Sequence, residues 1–134
     1  IKGVDRRYYI SKEDVEKWKY LKGAKKKIKE KNGVMIKWSE GAVPFPEDLS
    51  QPARTILTGE GGLAPSRFKH LIEDPWTKKL RIITPEEAEL ISGFPAGHTA
   101  CIPVEKWRYF CIGNALVVGL VEKMGKQLRD GPSK

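Results

Sequence analysis

Cysteine is scarce in this chain, with two among 134 residues, Cys101 and Cys111. Neither has a third or fourth partner, nor a zinc-ligand spacing with His70 or His98. A disulfide-stapled mini-protein and a zinc finger are excluded, and a reducing compartment is the default. Long apolar runs are missing as well. The longest, Ala115 to Val118, falls far short of the roughly 20 residues a membrane-spanning helix needs. There is no signal-peptide pattern, and the sequence opens on Ile1 rather than Met, so it reads as a piece of something longer. Phosphate-binding glycine signatures are lacking too. No G-x-x-x-x-G-K is found, and Gly59-Glu60-Gly61-Gly62 does not match G-x-G-x-x-G opening a helix. Repeats and low-complexity segments are absent.

What is present describes one folded domain's worth of chain, 40% hydrophobic and 31% charged. The net charge of +8 is unevenly placed. Residues 1–37 hold thirteen Lys or Arg against five Asp or Glu, while residues 38–134 hold twelve of each. The excess peaks at Lys25-Lys26-Lys27-Ile28-Lys29. Such a patch is the electrostatic footprint of a polyanion partner, because neutralising phosphates releases counterions. The competing reading is a solvated loop kept basic for solubility.

Along the chain, residues 11–22 read as a short helix, with Ser11 as cap, Val15, Trp18 and Leu21 at helical spacing, and Gly23 as stop. Asn32-Gly33 is a hairpin signal, and Val34 to Trp38 is a candidate strand. Pro44, Pro46 and Pro52 make 43–53 an extended loop. Arg54 to Thr58 reads as a strand entering the glycine-rich 59–62 turn, which could bring backbone close to another molecule. Leu71-Ile72 is a strand edge, and Lys79 to Ile83 alternates polar with apolar residues. Thr84-Pro85-Glu86-Glu87 predicts a capping box with Pro at the first helical position, a helix carrying Ala88 and Ile91 inward, and a stop at Gly93. Residues 94–108 read as a loop, and a last helix as running from about Asn114 to Leu128. Leu116, Val117, Leu120, Val121, Met124 and Leu128 form its apolar stripe. From Ala115 to Val121 it has no polar residue, so it wants cover on more than one face, from a larger domain. No self-contained active site is visible.

Two stretches together carry a resemblance. Arg81-Ile82-Ile83-Thr84-Pro85-Glu86-Glu87, followed by Gly93-Phe94-Pro95, resembles motif IX of the cytosine-5 DNA methyltransferases. Tyr109-Phe110-Cys111-Ile112-Gly113-Asn114-Ala115-Leu116-Val117-Val118 resembles their motif X, and the order and short gap match. Upstream, Pro52 to Ile56 and Ser66 to His70 are similar to the core of the target-recognition domain in many bacterial members. The family's nucleophile, a Cys directly after Pro, has no counterpart: Cys101 follows Ala100 and Cys111 follows Phe110. Its Glu-Asn-Val, Gln-x-Arg-x-Arg and first glycine-rich cofactor loop are also absent, and Gly119 stands where many members have Pro.

The resemblance implies an α+β fold. Residues 1–80 would be a target-recognition region of short strands and loops. Residues 81–134 would belong to the catalytic domain, their helices at about 85–93 and 114–128 packing on a Rossmann-like α/β methyltransferase domain. It implies a C-terminal fragment or small subunit of a DNA (cytosine-5-)-methyltransferase, in a bacterial restriction-modification system, cytoplasmic and nucleoid-associated. The implied partners are double-stranded DNA and the N-terminal catalytic portion, with no membrane and no metal. No catalytic residue lies in this chain. Asn114 and Ala115 would sit beside S-adenosylmethionine at the start of the last helix, unless Asn114 simply caps it. The candidate DNA contacts are Arg54, Thr55, Thr58, Gly59, Glu60, Gly61, Gly62, Ser66, Arg67 and Lys69, with Lys25, Lys26, Lys27 and Lys29 from the basic run. An arginine here could bridge guanine O6 and N7 or clamp a phosphate. Two other readings stay open: a stand-alone basic DNA-binding module, and a scaffold for RNA or an acidic protein.

Overall fold

The computed structural model describes residues 2–131. The elements run α1 (Val15–Lys22), β1 (Lys25–Lys31), β2 (Val34–Glu40), β3 (Leu71–Glu73), β4 (Leu80–Ile82), α2 (Pro85–Ile91), α3 (Glu105–Asn114) and α4 (Val118–Asp130). Short 3-10 turns lie at Arg6–Tyr8 and Thr58–Glu60. The fold is α+β, with two separate two-stranded antiparallel sheets, β1–β2 and β3–β4.

The β3–β4 sheet divides the core. Leu71 pairs with Ile82 on one face, where Tyr8 and Trp18 complete a buried cluster flanked by Val4, Ile10, Phe45 and Leu80. Ile72, on the other face, joins Ile56, Ile83, Ala88, Tyr109 and Ile112, with Phe94 against them. Alternation along a strand sends neighbouring side chains to opposite faces, so three-residue strands suffice to feed both clusters. Both clusters draw residues from either side of position 80.

Arg81 also points to the Ile72 face and is fully buried. Asp74 takes its Nε–H at 2.8 Å, and Glu87 accepts from Nη1 and Nη2 at 2.7 Å each. Thr84 donates its N–H to Glu87, whose own N–H reaches Thr84 Oγ1, so the expected capping box is formed. Glu87 thus caps α2 and neutralises a buried arginine. Burial of an ion is tolerated only with such complete pairing.

Several expectations need correction. Helix α1 begins at Val15, one turn later than expected. Ser11 instead accepts the Asp14 N–H and donates to its carboxylate in the preceding turn. Residues 54–57 are irregular and pass into the Thr58–Glu60 turn rather than forming a strand. Ile91 is exposed, and it is Glu89 that α2 buries beside Ala88. The expected loop of residues 94–108 contains the first turn of α3, and the last helix starts at Val118, so Asn114 closes one helix instead of opening the next.

Candidate nucleic-acid interface

The basic run is a strand. Asn32 and Gly33 both adopt positive φ (53° and 76°), as a two-residue hairpin turn requires, and the ladder runs from Lys25 opposite Glu40 to Lys31 opposite Val34. Side chains therefore sort by register. Lys25, Lys27, Lys29 and Lys31 share a face with Val34, Ile36, Trp38 and Glu40, while Lys26, Ile28 and Glu30 share the other with Met35, Lys37 and Ser39. Only Lys25 and Glu40, at the root, are half-buried; every other hairpin residue is exposed. A lone two-stranded hairpin is marginal in water, so its attachment at the root matters.

That root is held by Arg67. Its Nη1 donates to Gly23 O at 3.1 Å and Leu21 O at 3.4 Å, its Nη2 donates to Gly41 O, and Nη1 lies 3.5 Å from the Glu40 carboxylate. These acceptors bracket the first and last residues of the hairpin. Lys25 is engaged there too: its Nζ donates to Leu21 O at 3.0 Å and lies 4.8 Å from the Tyr20 ring centroid.

The glycine-rich segment packs inward. Glu60 is buried, accepting the His70 N–H at 2.6 Å and facing His70 Nδ1 at 3.0 Å. Lys69 is also buried, its Nζ donating to Gly62 O (2.6 Å) and Ala64 O (2.7 Å), and burial lowers its pKa. Arg54 Nε reaches both Glu47 oxygens, at 3.0 and 3.1 Å. Glu47 also faces buried Lys22, whose Nζ donates to Lys69 O at 2.6 Å. The 57–58 backbone lies on α3 at Gly113, where a Cβ would fall 2.4 Å from Thr58 N. The close approach expected of this turn is thus made to its own chain. Of the candidate contacts, Thr55, Thr58, Gly59 and Gly62 are exposed, Gly61, Ser66, Arg67 and Arg54 are half-buried, and Glu60 and Lys69 face inward. Lys26, Lys27 and Lys29 project freely from the hairpin.

At the other end, Asn114 is exposed and its Nδ2 donates to Phe110 O at 3.0 Å. A three-residue link, Ala115 to Val117, turns the chain into α4, which touches the fold where Val118 donates its N–H to Ser92 O and packs beside Gly93. No residue of α4 is buried. Val117, Leu120, Val121 and Met124 are all exposed, Leu116 at 71% and Leu128 at 86%. Trp107 and Phe110, both exposed, stack edge to face on α3. Among the described residues, no three His, Cys, Asp or Glu side chains gather to hold a metal, and no helix is long and apolar enough to cross a membrane.

Residues 2–130 match the family described as C-5 cytosine-specific DNA methylase, and the chain belongs to that family. With its motif IX and X text, it corresponds to the C-terminal portion of a bacterial member. It is 40% identical over 126 residues to Type II methyltransferase M.Sau3AI of Staphylococcus aureus, covering 93% of this chain. The chain spans 29% of that relative's length. No solved structure matches it.

Sequence reasoning missed α3, the root clamp of Arg67 and the buried Glu89 carboxylate, which accepts from Thr99 N–H and Arg108 Nη2. For α3 there was a signal in Pro103 shortly before acidic Glu105. Arg67 and Glu89 depend on partners 44 and 19 residues away, which no local pattern encodes.

Proposed function

We propose that this chain supplies the target-recognition region and the motif IX–X segment of a DNA (cytosine-5-)-methyltransferase that modifies a short duplex site. Residues 1–80 serve recognition, and residues 81–134 complete the S-adenosylmethionine-binding domain. The observation that carries the reading is α4. Directly after the motif X text, it presents its entire apolar stripe to solvent. A helix of that composition calls for cover, and the catalytic portion that the family places before these motifs is the cover that fits.

The residues at the α3–α4 link suit one edge of the cofactor. The exposed Asn114 is followed in the chain by exposed Leu116 and Val117, a polar group close in sequence to apolar ones. When bound, S-adenosylmethionine supplies the methyl group that ends on cytosine C5. In this division of labour Asn114 and Ala115 bind and orient, and the cysteine thiolate that adds to cytosine C6 comes from the other portion. The exposed Thr55, Thr58 and half-buried Ser66, with the basic hairpin, form the recognition surface. Arg54, Lys69 and Glu60 hold that surface in place from within. A restriction-modification role in the bacterial cytoplasm, at the nucleoid, follows from the same reading.

The test is complementation. Mixing the chain with an N-terminal portion that carries the Pro-Cys and Glu-Asn-Val motifs should restore methyl transfer from radiolabelled S-adenosylmethionine to duplex DNA. Neither piece alone should transfer. Methyl transfer by these 134 residues alone would overturn the reading. Tight duplex binding with no complementation would favour the stand-alone DNA-binding module.

A further inference from the structure

We infer that the β1–β2 hairpin is an arm with one working face: Lys27, Lys29 and Lys31 lie along a duplex phosphate backbone, while the face bearing Lys26 and Lys37 stays in solvent. This rests on the DNA-recognition reading and goes beyond it, since that reading treats the lysine run as one undivided patch.

The register carries the argument. Lys27, Lys29 and Lys31 occupy alternate positions of β1 and share a face. Alternate strand residues repeat about every 6.8 Å, so the row spans about 14 Å. Each DNA strand carries a charge about every 3.4 Å along the axis, so an evenly spaced polyanion meets an evenly spaced cation row. Lys25 drops out of the row because its ammonium is held on Leu21 O and the Tyr20 ring. Opposite the three lysines stand Trp38, Ile36 and Val34. Cross-strand neighbours of that kind lie within reach of lysine stems and leave the ammonium heads outermost.

The other face is built differently. Glu30 lies on that face toward the tip, opposite Met35, and Ile28 pairs with Lys37. Its charge is thus mixed and broken by apolar side chains. A membrane is a poorer occupant for either face. The hairpin tip is Asn32-Gly33, whereas insertion at a lipid surface needs bulky apolar residues at the leading edge. Arg67 is the positioning residue of this arm, since it fixes the carbonyls on both sides of the root and touches neither row.

The experiment uses the full chain and two variants, Lys27→Gln/Lys29→Gln/Lys31→Gln and Lys26→Gln/Lys37→Gln. Each is titrated against a mixed-sequence duplex at several salt concentrations by fluorescence anisotropy, with circular dichroism to check folding. The triple variant should flatten the log–log salt slope by roughly 2.7, at about 0.9 per lost phosphate contact. The double variant should leave the slope unchanged. Flattening in proportion to charge in both variants, or in neither, overturns the one-faced arm while leaving DNA binding intact. Failure of the unaltered chain to bind duplex at low salt, or preferential binding to phosphatidylserine vesicles, overturns the DNA reading and the arm with it.

Discussion

Gly113 sits in the motif X text, and its absent side chain has a packing reason. A Cβ there would fall 2.5 Å from Leu57 C and 2.7 Å from Thr58 Cα, all backbone that cannot swing aside. Gly113→Ala should cost about 1–3 kcal/mol, the usual range for overpacking, and lower Tm by roughly 5–10 °C. Thermal unfolding of the chain alone measures this, without any cofactor. Arg67 offers a second case. Because its guanidinium faces Leu21 O, Gly23 O, Gly41 O and Glu40, Arg67→Ala should weaken binding to all duplex sequences alike. Relaxed preference at one base position, read in a competition assay, would instead make it a base reader. Glu89 is a third. Its side chain is fully buried; burial opposes its ionisation, but hydrogen bonds from Thr99 and Arg108 win and hold the pKa down at about 2. A depressed carboxylate stabilises the fold above its unfolded pKa of about 4.3 and loses that contribution as pH falls toward 2. Asp74, lowered first by the Thr77 N–H against the cost of burial, acts in the same direction. Acid titration should therefore show unfolding below about pH 4. Glu89→Gln should remove part of that dependence and about 2–3 kcal/mol at neutral pH.

Among the elements, those specified by local chemistry were legible in the sequence. Asn32-Gly33 fixed a hairpin because both positions must take positive φ, and Thr84-Pro85-Glu86-Glu87 fixed the start of α2 through its own cap. The lysine run was not legible as a strand, since lysine has little strand preference; the turn and the Val34–Glu40 partner impose that conformation. The 54–58 segment failed the other way. Its Ile56 and Thr58 suit a strand, but the backbone is drawn onto α3 and no second strand is there to pair with. The uncovered state of α4 was legible from composition, because Ala115 to Val121 holds no polar residue to turn toward solvent. Its consequence is measurable. Leu120→Glu/Met124→Glu should leave the Tm of the isolated chain within about 1 °C, since neither side chain is buried. The same variant should abolish complementation by the N-terminal portion in the methyl-transfer assay.

At the scale of the whole molecule, the two faces of one sheet of three-residue strands feed both buried clusters. Tyr8 and Trp18 pack with Leu71 and Ile82 on one face of that sheet, and Tyr9 is bridged to Arg81. Sixty-four positions separate Trp18 from Ile82. During synthesis at about 5–20 residues per second, Trp18 therefore waits roughly 3–13 s before its last core partner has been made. Through that interval the cluster of Tyr8, Trp18, Leu71 and Ile82 is incomplete, and closing so long a loop is slow even when its residues are all present. The lysine-rich hairpin, exposed even in the finished fold, carries its positive charge into that interval, open to any polyanion nearby.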